Sequence, residues 1–448
     1  MAGGKKSNSI FTAFGAATGL GNALRFPSLC ALYGGGFAVA YIACLALVCY
    51  PLLCAELYLG KSCAQSFDKA LSRYAPRLSW LAYCAAANCA VIALYYGVIS
   101  AKTGGAFLHF TVSGAAGDTR GLSLFAVGAL SLFAVWIILR GKPQVIARTG
   151  KVAVISSLGL FSVLAVVLLA RGGSVLSVFC FKASDLAHGG LWADALGQAL
   201  LALSLAGGVM PTFARSFDKD FAVAPTAAKI IAANLAGCIL AAIATLAVAV
   251  PVPEEGGVVV ALELFPRVIA AAFPHPLFFR VFGTLFFAAL WLVAIQSTCS
   301  LLSPILALAG ENRRQIAVTL SCILSSALLP LFALNGGAAM FAVDRMACSV
   351  NAVIIAFLEA LIFVIPRNIP QLKGKTGAFA VVLLRFFCPL SCGALALFSA
   401  CGARFSSYPV YAALCAYICF LLVFSPPALL LTRFIKGKVS ACNSIQKS

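Results

Sequence analysis

The sequence is poor in charge, and poorest in acidic charge. Only 10% of its 448 residues are Asp, Glu, Lys or Arg, and 13 acidic residues stand against 32 basic ones. A soluble domain carries about 25% charged residues and is less than half apolar, whereas this chain is 62% hydrophobic. A soluble fold of this length could not cover so much apolar surface. The composition therefore predicts an integral membrane protein.

Histidine and long hydrophilic stretches are also scarce. The three histidines, His109, His188 and His275, fall near span ends or in loops without clustered acids. No paired carboxylates, His/Cys metal spacing or Ser/His arrangement falls at one depth, which argues against an enzyme. We expect no appended soluble domain, and the first apolar run lacks the exit of a cleavable signal peptide.

Cysteine is plentiful but does not indicate a disulfide scaffold, because such scaffolds are short and secreted. Most of the 18 cysteines fall inside apolar runs, as Cys44, Cys49 and Cys54 do. They are predicted to be free and buried. The net charge of +19 is not read as a nucleic-acid surface here, since membrane proteins keep basic loops in the cytoplasm.

About twelve segments are apolar and long enough to span a bilayer. Basic residues concentrate at both ends of the chain and in the even-numbered connections, which predicts a multi-pass protein with both termini in the cytoplasm. Compact loops suggest a bacterial inner (plasma) membrane. The predicted spans lie near 9–31, 36–58, 80–111, 122–139, 150–170, 192–216, 224–250, 277–308, 315–334, 340–365, 387–402 and 408–432.

The first predicted span contains residues that a lipid-facing helix avoids. The sequence GAATGLGN (15–22) is followed within five residues by Arg25 and Pro27. Glycine weakens a helix, and proline removes a backbone donor. Freed backbone groups need partners inside the protein or in a hydrated cavity. A broken first helix is therefore predicted.

The sixth predicted span shows the same features. It holds Gly197-Gln198, then SLAGG (204–208) and Pro211. Small residues could instead serve close helix packing, but Asn22 and Arg25 in the first span favour functional breaks, since ionisable groups in membranes are functional by default. Matching breaks in two halves indicate a transporter's substrate site.

Two broken helices offer complementary ends to a ligand. A half-helix that begins after a break presents free N–H groups and a positive dipole end, which suit a carboxylate. A half-helix that ends before a break presents free carbonyls, which suit an ammonium group or Na⁺. A zwitterionic amino acid together with sodium satisfies both ends.

Several segments of the chain carry distinctive motifs. They are GLGNALRFP (19–27), YGGGFAVAYIACLALVCYPLLCAELYLGK (33–61), IALYYGV (92–98), RGKPQVIARTGK (140–151), LGQALLALSLAGG (196–208), AIQSTCSLLSP (294–304) and RFFCP (385–389). These motifs resemble the neurotransmitter:sodium symporter family, and Asp344 and Glu359 have the spacing of its tenth helix. The resemblance implies one transporter domain over 1–448, with inverted five-helix repeats at about 9–170 and 192–365, and peripheral helices at about 387–432.

Carried over by position, the resemblance implies one or two Na⁺ ions as coupling ions and no further cofactor. Oxygen ligands suit such a hard cation. The first site would use the carbonyl oxygens of Ala17 and Ala202, the side-chain amides of Asn22 and Asn234, and the substrate carboxylate. The second would use the carbonyl oxygens of Gly15, Thr18 and Val293 with the side chains of Gln296 and Ser297.

The resemblance also implies a substrate site between the breaks and a gate outside it. The carboxylate would meet the amides of Leu20 and Gly21 and the hydroxyl of Tyr96. Arg25 and Asp344 would pair as the outer gate. The remaining substrate positions are Ala17, Ile92, Leu201, Ala202, Ser204, Gly207, Ser297 and Leu301.

The sequence departs from the family pattern at several of these positions. Ala202 lacks the hydroxyl usual in relatives, and Gln296 replaces Thr or Asp. In chloride-dependent relatives, hydroxyls join a tyrosine and a glutamine around the anion. Tyr41 and Gln198 remain here, but Ala202 and Cys238 occupy the hydroxyl positions. Chloride dependence is therefore not expected.

The predicted function is sodium-coupled symport of a neutral amino acid into the cell by alternating access. Gly207 and Leu201 replace bulkier residues of relatives, which favours a large apolar or aromatic substrate. The alternative is a non-transporting amino-acid sensor on the same fold, which would have lost ion or gate residues. A plain channel does not suit a gated central site with an Arg–Asp pair.

Overall fold

The computed structural model describes residues 13, 15, 17, 19–63, 65–114, 117, 121–141, 143–174, 186–217, 220–247, 258–333, 338–365, 370, 372 and 374–402. All regular secondary structure in these residues is helical. The predicted twelfth span, 408–432, lies outside the described residues. The helices pack around one apolar core that includes both predicted breaks. The all-helical membrane fold class predicted above is thus confirmed.

We number the described helices in chain order. They are α1 (Gly21–Arg25 and Phe26–Tyr33), α2 (Gly35–Cys63), α3 (Phe67–Tyr74), α4 (Leu81–Val112), α5 (Gly121–Arg140), α6 (Pro143–Ala170), α7 (Gly189–Ala202), α8 (Val209–Ala214), α9 (Val223–Leu246), α10 (Val258–Ala272), α11 (Pro276–Ala309), α12 (Arg314–Ala333), α13 (Ala338–Arg345, Met346–Asn351 and Ala352–Val364) and α14 (Lys375–Val382, Leu383–Phe387 and Cys388–Gly402).

Eight helical stretches in the described part are long and apolar enough to cross a membrane. They correspond to the predicted second, third, fourth, fifth, seventh, eighth, tenth and eleventh spans. The ninth, α12, has a shorter apolar stretch, Arg314–Pro330. The first and sixth spans are divided by breaks, so neither contains one uninterrupted long helix.

Two parts of the predicted helix layout are wrong. The eleventh helix begins at Lys375 rather than near 387, and Arg385 lies inside it instead of in a loop. The charge of Arg385 suggested a boundary, but its guanidinium lies over the ring of Phe386, 5.3 Å from the centroid. Two connections predicted as loops also contain helices, α3 and α10.

The break in the sixth span separates α7 from α8 at residues 203–208. Gly197 and Gln198, which were counted toward the break, lie inside α7 instead. A Cβ at Gly197 would come 2.8 Å from the Cys348 carbonyl oxygen, so this glycine allows α7 to pack closely on α13. Pro211 falls in the first turn of α8, where its missing N–H has no helical partner to lose.

The first span bends at Gly19. Ala13, Gly15 and Ala17 are helical before the bend, and α1 continues from Gly21 after it. The first five residues of α1 form a π-type turn, a geometry that often marks functional sites. Pro27 opens the α-helical part without a kink, so the break precedes it.

The longest helices, α4 and α11, pack against each other and against the breaks. Phe110 of α4 stacks on Phe287 of α11 with centroids 5.3 Å apart. Glycines permit the close approach: a Cβ at Gly104 would meet the Trp291 ring at 2.8 Å. Tyr96 of α4 and Ser297 of α11 line one cavity.

Candidate functional site

Two adjoining cavities lie where the broken helices meet. They share Leu201, Ser204 and Leu301. Each has a cavity volume of about 20 Å³, which is enough for a water molecule. The first cavity is lined by Gly19, Leu20, Gly21, Tyr96, Leu201, Ala202, Ser204, Ser297, Ser300 and Leu301. The second is lined by Asn88, Cys89, Ile92, Leu201, Ser204, Leu205, Ala206, Gly207, Leu301, Cys348 and Ala352.

All the predicted substrate positions except Ala17 line one of these cavities. Ala17 contributes a carbonyl nearby, which accepts hydrogen bonds from Asn22 and Asn234. The second cavity also has polar groups, because Asn88 and the thiols of Cys89 and Cys348 join Ile92 and Leu301. The structure thus brings the predicted set together and adds polar atoms to its side-chain end.

The break after α7 has an uncommon backbone for residues that are not glycine. Ser204 has φ of 52° and Ala206 has φ of 57°, and Gly208 follows at 71°. A left-handed backbone costs an L-residue about 1–2 kcal/mol, and such strain concentrates at functional sites. The Ala206 N–H donates to Glu56 Oε1 at 2.8 Å, so a buried carboxyl from α2 holds the break open.

Three of the four predicted protein ligands of the first sodium site form one hydrogen-bonded cluster. The Ala17 carbonyl accepts from Asn22 Nδ2 at 3.2 Å and from Asn234 Nδ2 at 2.7 Å. Asn234 Nδ2 also reaches Asn22 Oδ1 at 3.3 Å. The fourth ligand, Ala202, lines the first cavity. The oxygens of Ala17 and Asn22 that are proposed as sodium ligands thus accept hydrogen bonds from the side-chain amides of Asn22 and Asn234.

The predicted second sodium site gathers around α11. Ser297 Oγ accepts the Leu20 N–H at 3.3 Å, and Val293 lines a small cavity that also includes Asn22. The Gly15 backbone lies against Gly150 of α6, because a Cβ on Gly15 would contact the Gly150 Cα at 3.4 Å. Thr18 lies outside the described residues.

The side chain of Gln296 crosses from α11 to α6 in the same region. Its Oε1 accepts the Thr149 hydroxyl at 2.9 Å. Its Nε2 is buried and has no hydrogen-bond partner in the described part of the chain. A Cβ on Gly150 would come 3.0 Å from this nitrogen, so the missing side chain of Gly150 leaves room for the amide.

Arg25 and Asp344 form a buried ion pair. Arg25 Nε lies 3.1 Å from Asp344 Oδ2, and the residues are only 6% and 5% exposed. The Arg25 guanidinium also donates to Ser349 Oγ at 3.0 Å and to Gln198 Oε1 at 3.4 Å. Such pairing is what a charge removed from water requires.

Sequence reasoning missed the residues that extend this pair. Tyr95 donates to Asp344 Oδ1 at 2.6 Å, although only the adjacent Tyr96 was singled out. Ser349 donates to Asp194 Oδ1 at 3.0 Å, and Tyr33 donates to Asp194 Oδ2 at 2.8 Å. An acidic residue at 194 within an apolar span was the available signal, since so few acids occur in this chain.

Three of the residues at the family's chloride positions, Tyr41, Gln198 and Cys238, form hydrogen bonds with neighbouring protein groups. Tyr41 donates to Asn234 Oδ1 at 2.7 Å, and its hydroxyl lies 3.4 Å from Cys238 Sγ. Gln198 Nε2 donates to the Gly21 carbonyl at 3.1 Å. The polar atoms of Tyr41 and Gln198 are therefore engaged by neighbouring protein groups.

Comparisons with known proteins agree with this architecture. A model of the sodium:neurotransmitter symporter family matches residues 3–114. The uncharacterized sodium-dependent transporter YhdH of Bacillus subtilis is 28% identical over 340 residues, which cover 68% of this chain and 72% of that protein. An uncharacterized sodium-dependent transporter of Methanocaldococcus jannaschii is 25% identical over 329 residues, covering 65% of this chain and 66% of its own length.

A solved structure shares the fold. The crystal structure of MhsT in complex with L-phenylalanine superposes with a TM-score of 0.80 at 22% identity, covering 88% of this chain and 98% of that one. The motifs, the two broken helices and these likenesses agree with one another. The chain therefore resembles the sodium:neurotransmitter symporter family in residues 3–114 and resembles sodium-dependent transporters over about two thirds of its length.

Proposed function

We propose that this protein couples the entry of Na⁺ to the uptake of a neutral amino acid by alternating access. The observation that carries the proposal is the junction of the two breaks on one cavity. There α1 begins with the amides of Leu20 and Gly21, and α7 ends at the carbonyl of Ala202. The positive end of α1 suits a carboxylate, and the carbonyl end of α7 suits an ammonium group or a cation.

Sodium is the cargo that suits the neighbouring oxygen donors. Around the first site, Ala17, Asn22 and Asn234 supply oxygens already held together by hydrogen bonds. Around the second, Ser297 supplies a hydroxyl. Oxygen ligands suit a hard cation, and the sodium-dependent relatives support the same choice of ion.

The substrate we propose is a large apolar or aromatic amino acid. The second cavity adjoins the first at Leu201 and Leu301, and it would take the side chain. None of the described residues that line it is charged, so a charged substrate would lose its hydration without a partner. MhsT, which shares the fold, was crystallised with L-phenylalanine, and this supports an aromatic ligand.

In this mechanism Arg25 and Asp344 close the outer side of the cavity, and their separation admits substrate. Chloride is not required, because Tyr41 and Gln198 already bond to protein groups and Ala202 and Cys238 cannot replace the missing hydroxyls. We propose a bacterial plasma membrane as the location because the loops are compact. We place both termini in the cytoplasm because basic residues concentrate at both chain ends and in the even-numbered connections.

The energetics allow useful accumulation. A sodium ion that enters through a potential of about 100 mV releases about 2.3 kcal/mol. A tenfold concentration gradient adds about 1.4 kcal/mol. Each coupled ion can therefore support roughly several-hundredfold accumulation of substrate.

Uptake by proteoliposomes tests the proposal. Labelled phenylalanine or leucine should accumulate only with an inward Na⁺ gradient, and not when choline replaces Na⁺. Counterflow, in which unlabelled internal substrate drives entry of label, separates a transporter from a sensor. Binding without counterflow would identify a sensor, and equal uptake in choline would refute sodium coupling.

A further inference from the structure

The second sodium site contains a polar atom that the proposed function does not yet explain. Gln296 is 2% exposed, and its Nε2 has no hydrogen-bond partner among the described residues. A buried donor without an acceptor is costly, and each such group calls for an explanation. The opposite end of the same amide is bonded, since Oε1 accepts from Thr149 at 2.9 Å.

Thr149 has more acceptors within reach than it has protons. Besides Gln296 Oε1, its hydroxyl lies 3.0 Å from the Val145 carbonyl oxygen and 3.1 Å from that of Ile146. A threonine hydroxyl donates one hydrogen bond and can accept two. Thr149 can therefore give its proton to its own helix and accept a hydrogen bond from Gln296 instead.

The position of the amide makes this exchange relevant to sodium. Gln296 Nε2 lies in the space left by the missing side chain of Gly150, and the Gly15 backbone packs on that same glycine. The Gly15 carbonyl is one of the oxygens proposed for the second sodium site, and Ser297 follows Gln296 directly. The unbonded end of the amide and the Gly15 backbone thus both lie against Gly150.

We propose that Gln296 turns its amide over when sodium enters the second site, and that Thr149 makes both orientations possible. In one orientation of the amide, Thr149 donates to Oε1, as in this structure. In the other orientation, which sodium would stabilise, Oε1 faces the ion and Nε2 donates to Thr149 Oγ, while the Thr149 hydroxyl rotates to donate to the Val145 or Ile146 carbonyl oxygen. The inference rests on the proposed sodium coupling.

Two physical features favour this exchange. The carbonyl and amino ends of the amide are almost the same size, so the rotation changes no packing volume. In the sodium-bound arrangement the buried Nε2 gains an acceptor, and the Thr149 hydroxyl still donates a hydrogen bond to a carbonyl oxygen of its own helix. Sodium binding therefore completes the hydrogen bonding between α11 and α6, and Thr149 is a positioning residue for a sodium ligand.

The test compares sodium binding in matched variants of the full-length protein in detergent. Binding of radioactive Na⁺ and the sodium dependence of thermal stability would be measured for the parent, Thr149→Val, Thr149→Ser and Gln296→Met. Valine keeps the shape of threonine without its hydroxyl, and serine restores the hydroxyl. Methionine keeps the length of glutamine without its amide.

Thr149→Val should raise the sodium concentration for half-maximal effect by about 2- to 13-fold, the equivalent of one neutral hydrogen bond. Thr149→Ser should stay within twofold of the parent. Gln296→Met should raise it by more than Thr149→Val. Phenylalanine affinity at saturating sodium should not change in the Thr149 variants. A purely structural role for Thr149 would lower stability without moving the sodium midpoint.

The possible failures are distinct. If the parent shows no response to sodium, both the proposed sodium coupling and this inference are refuted. If the parent responds and Gln296→Met weakens sodium binding, but Thr149→Val matches the parent, the exchange is refuted while sodium coupling stands. Parent-like sodium affinity in Gln296→Met would show that Gln296 is not a ligand. If Gln296→Met does not fold, the Thr149 pair still decides.

Discussion

Removal of the Asp344 carboxylate should open the outer side of the cavity. In Asp344→Ala, Arg25 loses its ion-pair partner at 3.1 Å while it stays only 6% exposed. Breaking a buried ion pair by removing one partner costs about 3–5 kcal/mol. The closed state would bear this cost, because Arg25 can reach water when the cavity opens.

The neighbours of Arg25 reduce the expected cost. Ser349 at 3.0 Å still accepts from its guanidinium, and Gln198 accepts at 3.4 Å. A second carboxylate, Asp194, lies one hydrogen bond further on. We therefore expect the lower end of the range, about 3 kcal/mol, which shifts the closed-to-open ratio by roughly 150-fold.

A native cysteine offers the assay. Cys89 lines the second cavity and is 5% exposed, so a water-soluble alkylating reagent should reach it only when the cavity opens. Mass spectrometry would compare its labelling with that of Cys238, which is fully buried. Asp344→Ala should label Cys89 faster than the parent does and should lose uptake.

Asp194→Asn is the matched control, because it changes a carboxylate that touches Arg25 only through Ser349. Its labelling rate should fall between those of the parent and Asp344→Ala. Parent-like labelling and uptake in Asp344→Ala would remove the ion pair from the mechanism. Faster labelling of both Cys89 and Cys238 would instead indicate general unfolding.

The remaining predictions concern the ions, the pocket and the break. Ser297→Ala removes a proposed sodium ligand and the acceptor of the Leu20 N–H. The sodium concentration for half-maximal uptake should rise about tenfold, which corresponds to the upper range of the free energy of one hydrogen bond. An unchanged value would contradict the proposed second sodium site. Replacing chloride with gluconate should leave uptake unchanged, and a several-fold drop would show a chloride requirement. Gly207→Phe should make smaller amino acids the better competitors of labelled substrate. Its Cβ would overlap the Cys89 sulfur, so the additional change Cys89→Ala should improve the folding of this variant. An unchanged order of competitors would show that Gly207 does not line the substrate site. Glu56→Gln keeps an acceptor for the Ala206 N–H and should retain uptake. Glu56→Leu removes this acceptor and should lower the free energy of unfolding by about 1–3 kcal/mol, measured by thermal unfolding. Equal stability of the two variants would show that Glu56 does not stabilise the break.

The positions of most spans and the neighbourhood of both breaks could be predicted because they follow from local composition. Runs of apolar residues set the spans, and GLGN before Arg25 marked the bend at Gly19. The beginning of α14 was missed because Arg385 was taken to end a span, whereas its guanidinium lies over a neighbouring ring. Charge is a good boundary signal only where the side chain lacks such a partner.

Contacts between distant residues could not be predicted in this way. Thr149 and Gln296 are 147 positions apart, and Ser349 and Asp194 are 155 apart, so nothing in either local sequence indicates the pairing. Gly197 shows the converse problem. Its local pattern resembled a break, but its environment against Cys348 makes it a packing position.

The hydrogen bond between Ala206 and Glu56 has a consequence for how the protein is assembled. Residues 203–206, Leu-Ser-Leu-Ala, include neither glycine nor proline, so their own side chains do not favour a left-handed backbone. The left-handed conformations of Ser204 and Ala206 are stabilised when Glu56 of α2 accepts a hydrogen bond from the Ala206 N–H. The binding site would thus be created late, by the docking of one inserted helix against another, and not by the inserted segment itself.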